Sequence, residues 1–299
     1  MNNSVFHKPV MAREVIESLS LKNGYKILDA TIGLGGHARH ILERILPDGF
    51  LIGVDCDENA LKFAKDQLAG FGSKTHTLLH GNFRNIDEIL SGLAIEAIDG
   101  ALFDLGISSY QLNDAGRGFG FGGDGALDMR MDPSRGRSAY DIVNRLKRDE
   151  LENIIRDFGQ ERYFRRIAGF IITRRKDGPI ESTGELAALI GKAVGRRYRS
   201  QRIHPATRTF QAIRIAVNEE LANLEEGLSR VVDFVRPRRR ICVISFHSLE
   251  DRIVKFKFRE LAKSGKGRVI TKKPLTPTIE EKRENPRSRS AKMRTLEKI

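Results

Sequence analysis

Three aspartates carry the first chemical signal. Asp29, Asp55 and Asp104 each close a short apolar run, over residues 25–30, 50–54 and 98–103. Between the first two lies Thr31-Ile32-Gly33-Leu34-Gly35-Gly36-His37, followed by Ile41, Leu42, Ile45 and Leu46 at helical spacing. Strand, glycine loop, helix, strand and acid, in that order, make a nucleotide-binding βαβ unit. Glycine has no Cβ, so the loop backbone can press against a ligand. Asp55, twenty-two positions after Gly33, is placed to accept hydrogen bonds from two ribose hydroxyls.

Gly33-x-Gly35-x-x-Ala38 also satisfies the dinucleotide fingerprint, so a nicotinamide-dependent oxidoreductase is the first alternative. Asp29 tips the balance. It stands four residues before Gly33, at the carboxyl end of the first strand. A pyrophosphate would be repelled there, whereas the cationic methionine end of S-adenosylmethionine would be attracted. A glycine-rich turn with no ligand is disfavoured, because helix start and ribose acid both fall in register.

The elements that must hold these acids follow the same rhythm. Helices are expected over 11–21, 59–68 and 86–93, and strands over 75–79 and 98–103, the last delivering Asp104. Phe83, just past the third strand, could cover one face of an adenine or fill the core. Strands alternating with helices predict a parallel doubly wound sheet that gathers ligands at the carboxyl ends of its strands. The rhythm breaks over 105–137, a long segment rich in Gly, Asp, Ser and Arg. Its Phe119, Phe121, Leu127, Met129 and Met131 argue for order. Helices are expected over 139–146, 150–158, 161–174 and 184–194, with Ser182 to Glu185 as a capping box. From Phe210 through Ile213, Val217, Leu221, Leu224, Leu228 and Val231 to Val235 runs one helical stripe. A strand over 240–245, a helix over 249–261 and strands over 268–271 and 293–298 close the chain, the final pair antiparallel. The expected fold is α/β: a class I, Rossmann-like S-adenosylmethionine-dependent methyltransferase sheet with an inserted, mainly helical domain. The sheet domain is expected over 1–106 and 207–299, the insertion over 107–206.

Composition narrows the partners. A chain of 299 residues, 40% hydrophobic and 30% charged, is ordinary for a globular protein. Its net charge of +13 is less so and points to a polyanion. Nucleic acid ranks ahead of an anionic membrane, since no basic amphipathic helix bears large aromatics. Residues 156–202 hold 12 Lys/Arg against 5 Asp/Glu, more than half of the excess. Any one of these arginines reads as solvated, but Arg196, Arg197, Arg199 and Arg202 together suggest a phosphate-contacting surface. Two cysteines cannot build a disulfide framework, and no targeting segment or membrane-spanning run is present, so a cytoplasmic protein is expected.

At Asp104-Leu105-Gly106-Ile107-Ser108-Ser109 the chain resembles the bacterial ribosomal RNA small subunit methyltransferase H (MraW) family. The likeness extends to His7-Lys8-Pro9-Val10, the loop from Gly33 to His37, Asp128-Met129-Arg130-Met131-Asp132, and His204-Pro205-Ala206-Thr207-Arg208. It continues through Ser245-Phe246-His247-Ser248-Leu249-Glu250-Asp251 and Asn285-Pro286-Arg287-Ser288. The resemblance implies methyl transfer from S-adenosylmethionine to the N4 amine of a decoding-region cytidine in 16S rRNA. By motif position it puts cofactor contacts on Gly35, Gly36, His37, Asp55, Phe83, Asp104 and Gln111. Tyr110 stands where the family usually has proline, and Gly122, Gly123 and Ala126 replace a stiffer stretch, which bears on how firmly Gln111 is held.

The chemistry asks for little beyond placement. An activated sulfonium needs no metal and no covalent enzyme intermediate, only in-line positioning. Asp104 is the expected orienting residue, for the cofactor or for the amine. Methylation at cytosine C5 would need a thiolate, and neither Cys56 nor Cys242 is well placed for one. Substrate candidates are Asp128, Arg130, His204, Arg208, His247 and Asp251, each with a structural alternative: a pin of the insertion to the cofactor domain, a salt bridge, or a helix cap. No His/Cys/Asp cluster has metal-ligand spacing, so no metal is expected. An RNA-binding assembly factor that holds the cofactor without turnover is the third reading. Monomer and homodimer both stay open.

Overall fold

The computed structural model describes residues 8–195 and 203–299. The chain divides into two compact units, Met1–Gly106 with Leu221–Ile299, and Ile107–Glu220.

The first unit is a seven-stranded sheet: β1 (Lys26–Asp29), β2 (Phe50–Asp55), β3 (His76–His80), β4 (Ile98–Asp104), β5 (Val235–Ser245), β6 (Gly267–Val269) and β7 (Lys292–Lys298), in the order β3-β2-β1-β4-β5-β7-β6. β1 to β5 are parallel, and β7 runs antiparallel to both β5 and β6. This is the expected class I methyltransferase sheet. Its central strands are apolar on both faces because helices cover both. Alternate side chains serve opposite cores, as a two-residue period requires. Leu28, Ile52, Val54, Ala101, Phe103, Ile241 and Val243 pack on one side. Ile27, Leu51, Leu102, Cys242 and Ile244 pack on the other. α1 (Ala12–Leu19), α2 (Gly36–Ile45) and α3 (Glu58–Leu68) supply the second side; α4 (Ile86–Gly92), α11 (Glu220–Phe234) and α12 (Ser248–Lys263) supply the first. The reversal between β1's two neighbours, β2 and β4, is the switch point at which such sheets bind ligands.

The second unit is helical: α5 (Ser109–Asn113), α6 (Ala139–Arg145), α7 (Arg148–Asp157), α8 (Phe164–Arg174), α9 (Thr183–Val194) and α10 (Thr207–Asn218). Its core joins Phe119, Leu127 and Met129 from the long loop to Ile142, Leu151, Ile167, Leu186 and Phe210 from the helices. The loop is ordered despite its glycines. Thr183 donates its N–H to Gly125 O and its hydroxyl to Gly123 O, while its Oγ1 accepts the Gly125 N–H. Arg117 reaches the carbonyls of Arg130 and Met131 at 3.0 Å.

Three expectations need correction. The stripe from Phe210 to Val235 is not one helix: Glu219, at φ 49°, breaks it into α10 and α11. Phe210 and Ile213 enter the helical core, whereas Leu224, Leu228 and Val231 enter the sheet core. The second unit therefore runs to Glu220, where the sequence reading ended it at 206. The strand expected from 240 begins at Val235, because its exposed arginines read as loop.

Candidate active site

Asp29, Asp55 and Asp104 end β1, β2 and β4 at the same edge of the sheet. The turn between β1 and α2 carries Gly33 at φ 52° and Gly35 at φ 86°, left-handed conformations in which a side chain would be strained. Gly35 is the N-cap of α2, so the helix begins against the loop without a side chain in the way. Asp55 Oδ2 accepts the Gly33 N–H at 2.8 Å and Oδ1 accepts the Asp57 N–H at 2.9 Å. The ribose acid expected from the sequence thus also fixes the shape of the glycine loop. The Cys56 N–H also bonds to this carboxylate, so three backbone donors hold it in place.

Asp29 is 1% exposed; its Oδ1 accepts the Thr31 N–H, and its Oδ2 has no donor. Asp104 has its backbone N–H bound by Thr31 Oγ1 at 2.6 Å, and its Oδ1 likewise lacks a donor. Between them, on the first turn of α2, sits buried His37, with Nε2 3.4 Å from Asp104 Oδ2. That contact has ion-pair range without hydrogen-bond alignment, leaving Nε2 unbonded. Burial pushes the Asp29 carboxyl up to about 7, against the pull of His37 and the Thr31 N–H. Burial likewise lifts Asp55 to about 6, although backbone N–H groups hold it down. For His37 burial works against charge, but Asp104, with Asp29 and Glu281 behind it, reverses this and holds the imidazole above its usual range.

Phe83 is partly buried, edge-on to Phe103 with centroids 5.5 Å apart. A Cβ on Gly227 of α11 would come within 2.8 Å of its ring, so α11 can close on Phe83 only because that position is glycine. Phe83 therefore serves the core whatever else it does. In the second unit, Gln111 is 4% exposed and forms a capping box with Ser108: its Oε1 accepts the Ser108 N–H, and Ser108 Oγ accepts the Gln111 N–H. Short α5 and this cap hold Gln111 despite Tyr110.

The substrate candidates all have structural partners within their own units. Asp128 and Arg130 form a two-pronged pair at 3.0 and 2.7 Å. His204 stacks on Phe121 at 4.5 Å and accepts the Ala206 N–H, and Arg208 reaches Gln160 O at 3.4 Å. His247 caps α12, accepting the Glu250 N–H. Asp251 holds Arg294 at 2.7 Å and Lys292 at 3.4 Å, tying α12 to β7. Arg196, Arg197 and Arg199 lie outside the described residues, as do Arg202 and His7.

Residues 4–299 match the MraW methylase family. The chain belongs to that family. Among its relatives, the ribosomal RNA small subunit methyltransferase H of Pelobacter propionicus is 50% identical, over 98% of both chains. Proteins of the same name from Syntrophus aciditrophicus and Geotalea uraniireducens are 47% and 49% identical, again over 98% of both chains.

MraW membership makes the reaction a methyl transfer, and the nicotinamide alternative falls. The site suits a methyl donor of the S-adenosylmethionine type on its own terms. Two buried carboxylate oxygens without donors, Asp29 Oδ2 and Asp104 Oδ1, call for a cationic, N–H-bearing ligand. Two contributors escaped the sequence reading. Thr31 fastens the backbone of Asp104, and Asp57 caps α3 while engaging Asp55 through its own N–H. Neither shows in a pattern of periods, because both work through loop backbone.

Proposed function

We propose that this chain transfers the methyl group of S-adenosylmethionine to the exocyclic N4 amine of a cytidine in the decoding region of 16S rRNA. The observation that carries the donor side is the pair of unsatisfied carboxylate oxygens at the ends of β1 and β4, in a chain of the MraW family. The names of its relatives support a small-subunit ribosomal RNA as acceptor.

Bound S-adenosylmethionine supplies a methyl group already activated by a sulfonium. Asp29 faces the positive charge of the methionine end, and Gly35, Gly36 and His37 line it. Asp55 takes the ribose hydroxyls, and Phe83 flanks the adenosine. Asp104 orients. Cytosine N4 is a poor nucleophile because its lone pair is delocalised into the ring. A carboxylate accepting one of its N–H bonds turns the amine and localises that pair, a role open to Asp104 beside its hold on the donor. The target base must leave its stack first. Attack through carbon C5 is disfavoured: it needs a thiolate, and burial pushes the Cys242 thiol up to about 12.

The test is mass mapping of the product after incubating the protein, labelled S-adenosylmethionine and undermethylated small ribosomal subunits. A single N4-methylated cytidine is expected. Label at C5, or none in RNA, would overturn the assignment, and the second result would favour an assembly factor.

A further inference from the structure

We propose that the outer side of α8, with the turn before it, is the platform on which the enzyme seats ribosomal RNA. The inference rests on the RNA reading above and adds where the RNA is gripped. α8 buries Ile167, Ala168 and Ile171 and turns Arg165, Arg166 and Phe170 outward, with Arg162 exposed just ahead of it. Other arginines of this unit sit beside acids: Arg145 with Asp141, Arg148 with Glu152, Arg156 with Asp157, Arg174 with Glu185. Among the described residues, Arg162, Arg165 and Arg166 have no acid within ion-pair range. Each lies over a ring instead: Arg162 4.7 Å from Tyr163, Arg165 5.4 Å from Phe164, Arg166 5.8 Å from Phe170.

A merely solvated helix face would pair its cations with acids three or four residues away, as Arg145 and Arg148 are paired. Glu161, four residues before Arg165, is instead buried and accepts the Tyr163 N–H. Here three uncompensated charges lie over aromatic rings. A guanidinium held that way keeps its edge N–H groups for phosphate oxygens and its outer face for a base. Phe170, 36% exposed, leaves part of an aromatic ring at the surface, and Gly169 puts no side chain beside it. Cations that track a backbone, interleaved with rings on which bases stack, are what unpaired or looped RNA requires.

The experiment compares the full chain with Arg162→Ala/Arg165→Ala/Arg166→Ala, with the corresponding triple lysine variant, and with Phe170→Ala. The substrates are undermethylated small subunits and protein-free small-subunit RNA. The alanine triple should raise KM for RNA about tenfold with kcat little changed. It should also flatten the slope of log affinity against log salt by about 2, the loss of up to three phosphate contacts. The lysine triple should restore the slope, which a folding defect would not allow. Phe170→Ala should weaken binding several-fold at unchanged slope. An alanine triple with wild-type KM and slope overturns the platform while leaving the methyltransferase reading intact. A defect seen with subunits but not with free RNA would mark an acidic protein contact and also overturn it. A wild-type chain without RNA affinity would sink both.

Discussion

Asp29 is the residue on which the proposed donor site turns, and its burial would make that site sensitive to pH. With its carboxyl pushed up to about 7, the free chain holds Asp29 largely protonated at pH 6. This contribution to stability is full below the ordinary carboxylate range and is lost as pH rises through 7. A cationic donor reverses the preference, because it favours the ionised carboxylate. Binding below pH 7 must therefore expel a proton. His37 acts with the same sign, since an imidazole held above its usual range is charged at pH 6 and opposes the cation. Between pH 7 and 5.5 the donor's own amine is already protonated, so its titration does not interfere. Calorimetry should show S-adenosylmethionine affinity falling about tenfold per pH unit over this interval, with proton release that depends on buffer. Asp29→Asn should weaken binding at pH 7.5 by about 1.5–3 kcal/mol and flatten the dependence. A pH-independent wild-type affinity would mean that Asp29 does not face the cation.

At the scale of elements, legibility followed the source of each signal. Strand ends could be read because apolar runs stop abruptly at Asp29, Asp55 and Asp104, and because the sheet is covered on both faces. The break at Glu219 could not. A left-handed residue that is neither glycine nor asparagine leaves no mark, and the apolar stripe crosses it unbroken while its two halves serve different cores. α5 is five residues long, too short for a periodic pattern, and is held by the Ser108–Gln111 cap. The resemblance pointed to Asp251 as a motif residue and left its job open; the structure gives it one. Arg294 is 8% exposed at its side chain and relies on Asp251 for its nearest charge. Burial opposes ionisation of Asp251, but Arg294 and Lys292 outweigh it and hold the carboxyl below its usual range. Its stabilising effect is thus present above the ordinary carboxylate pKa and is lost as pH falls below that. Asp251→Ala would strand a buried guanidinium at a cost of about 3 kcal/mol, lowering Tm by several degrees. If the tie between α12 and β7 is its whole role, S-adenosylmethionine affinity and KM for RNA stay at wild-type values. A normal Tm with raised KM would return Asp251 to the substrate.

For the whole molecule, the puzzle is a chain of net charge +13 that must take up a cation and a polyanion together. Burial and screening resolve it. Among the described residues most lysines and arginines are exposed, where salt screens them over about 8–10 Å. The proposed donor site draws on buried Asp29 and on Asp104, whose Oδ1 is shielded from solvent, so little salt reaches them. A cation that has entered the loop feels those acids at short range, and screened surface charge only weakly. RNA, which stays outside, feels the arginines and displaces their counterions. The two ligands should therefore respond oppositely to ionic strength. Raising salt from 50 to 200 mM should weaken binding to undermethylated small subunits by about a hundredfold, the effect of some four or five phosphate contacts. Over the same range the S-adenosylmethionine Kd should move by less than about twofold. Filter binding and calorimetry on one preparation read both. Parallel losses would show that the donor is held by exposed charge and not by the buried acids, and a salt-insensitive RNA affinity would remove the basic surface from recognition.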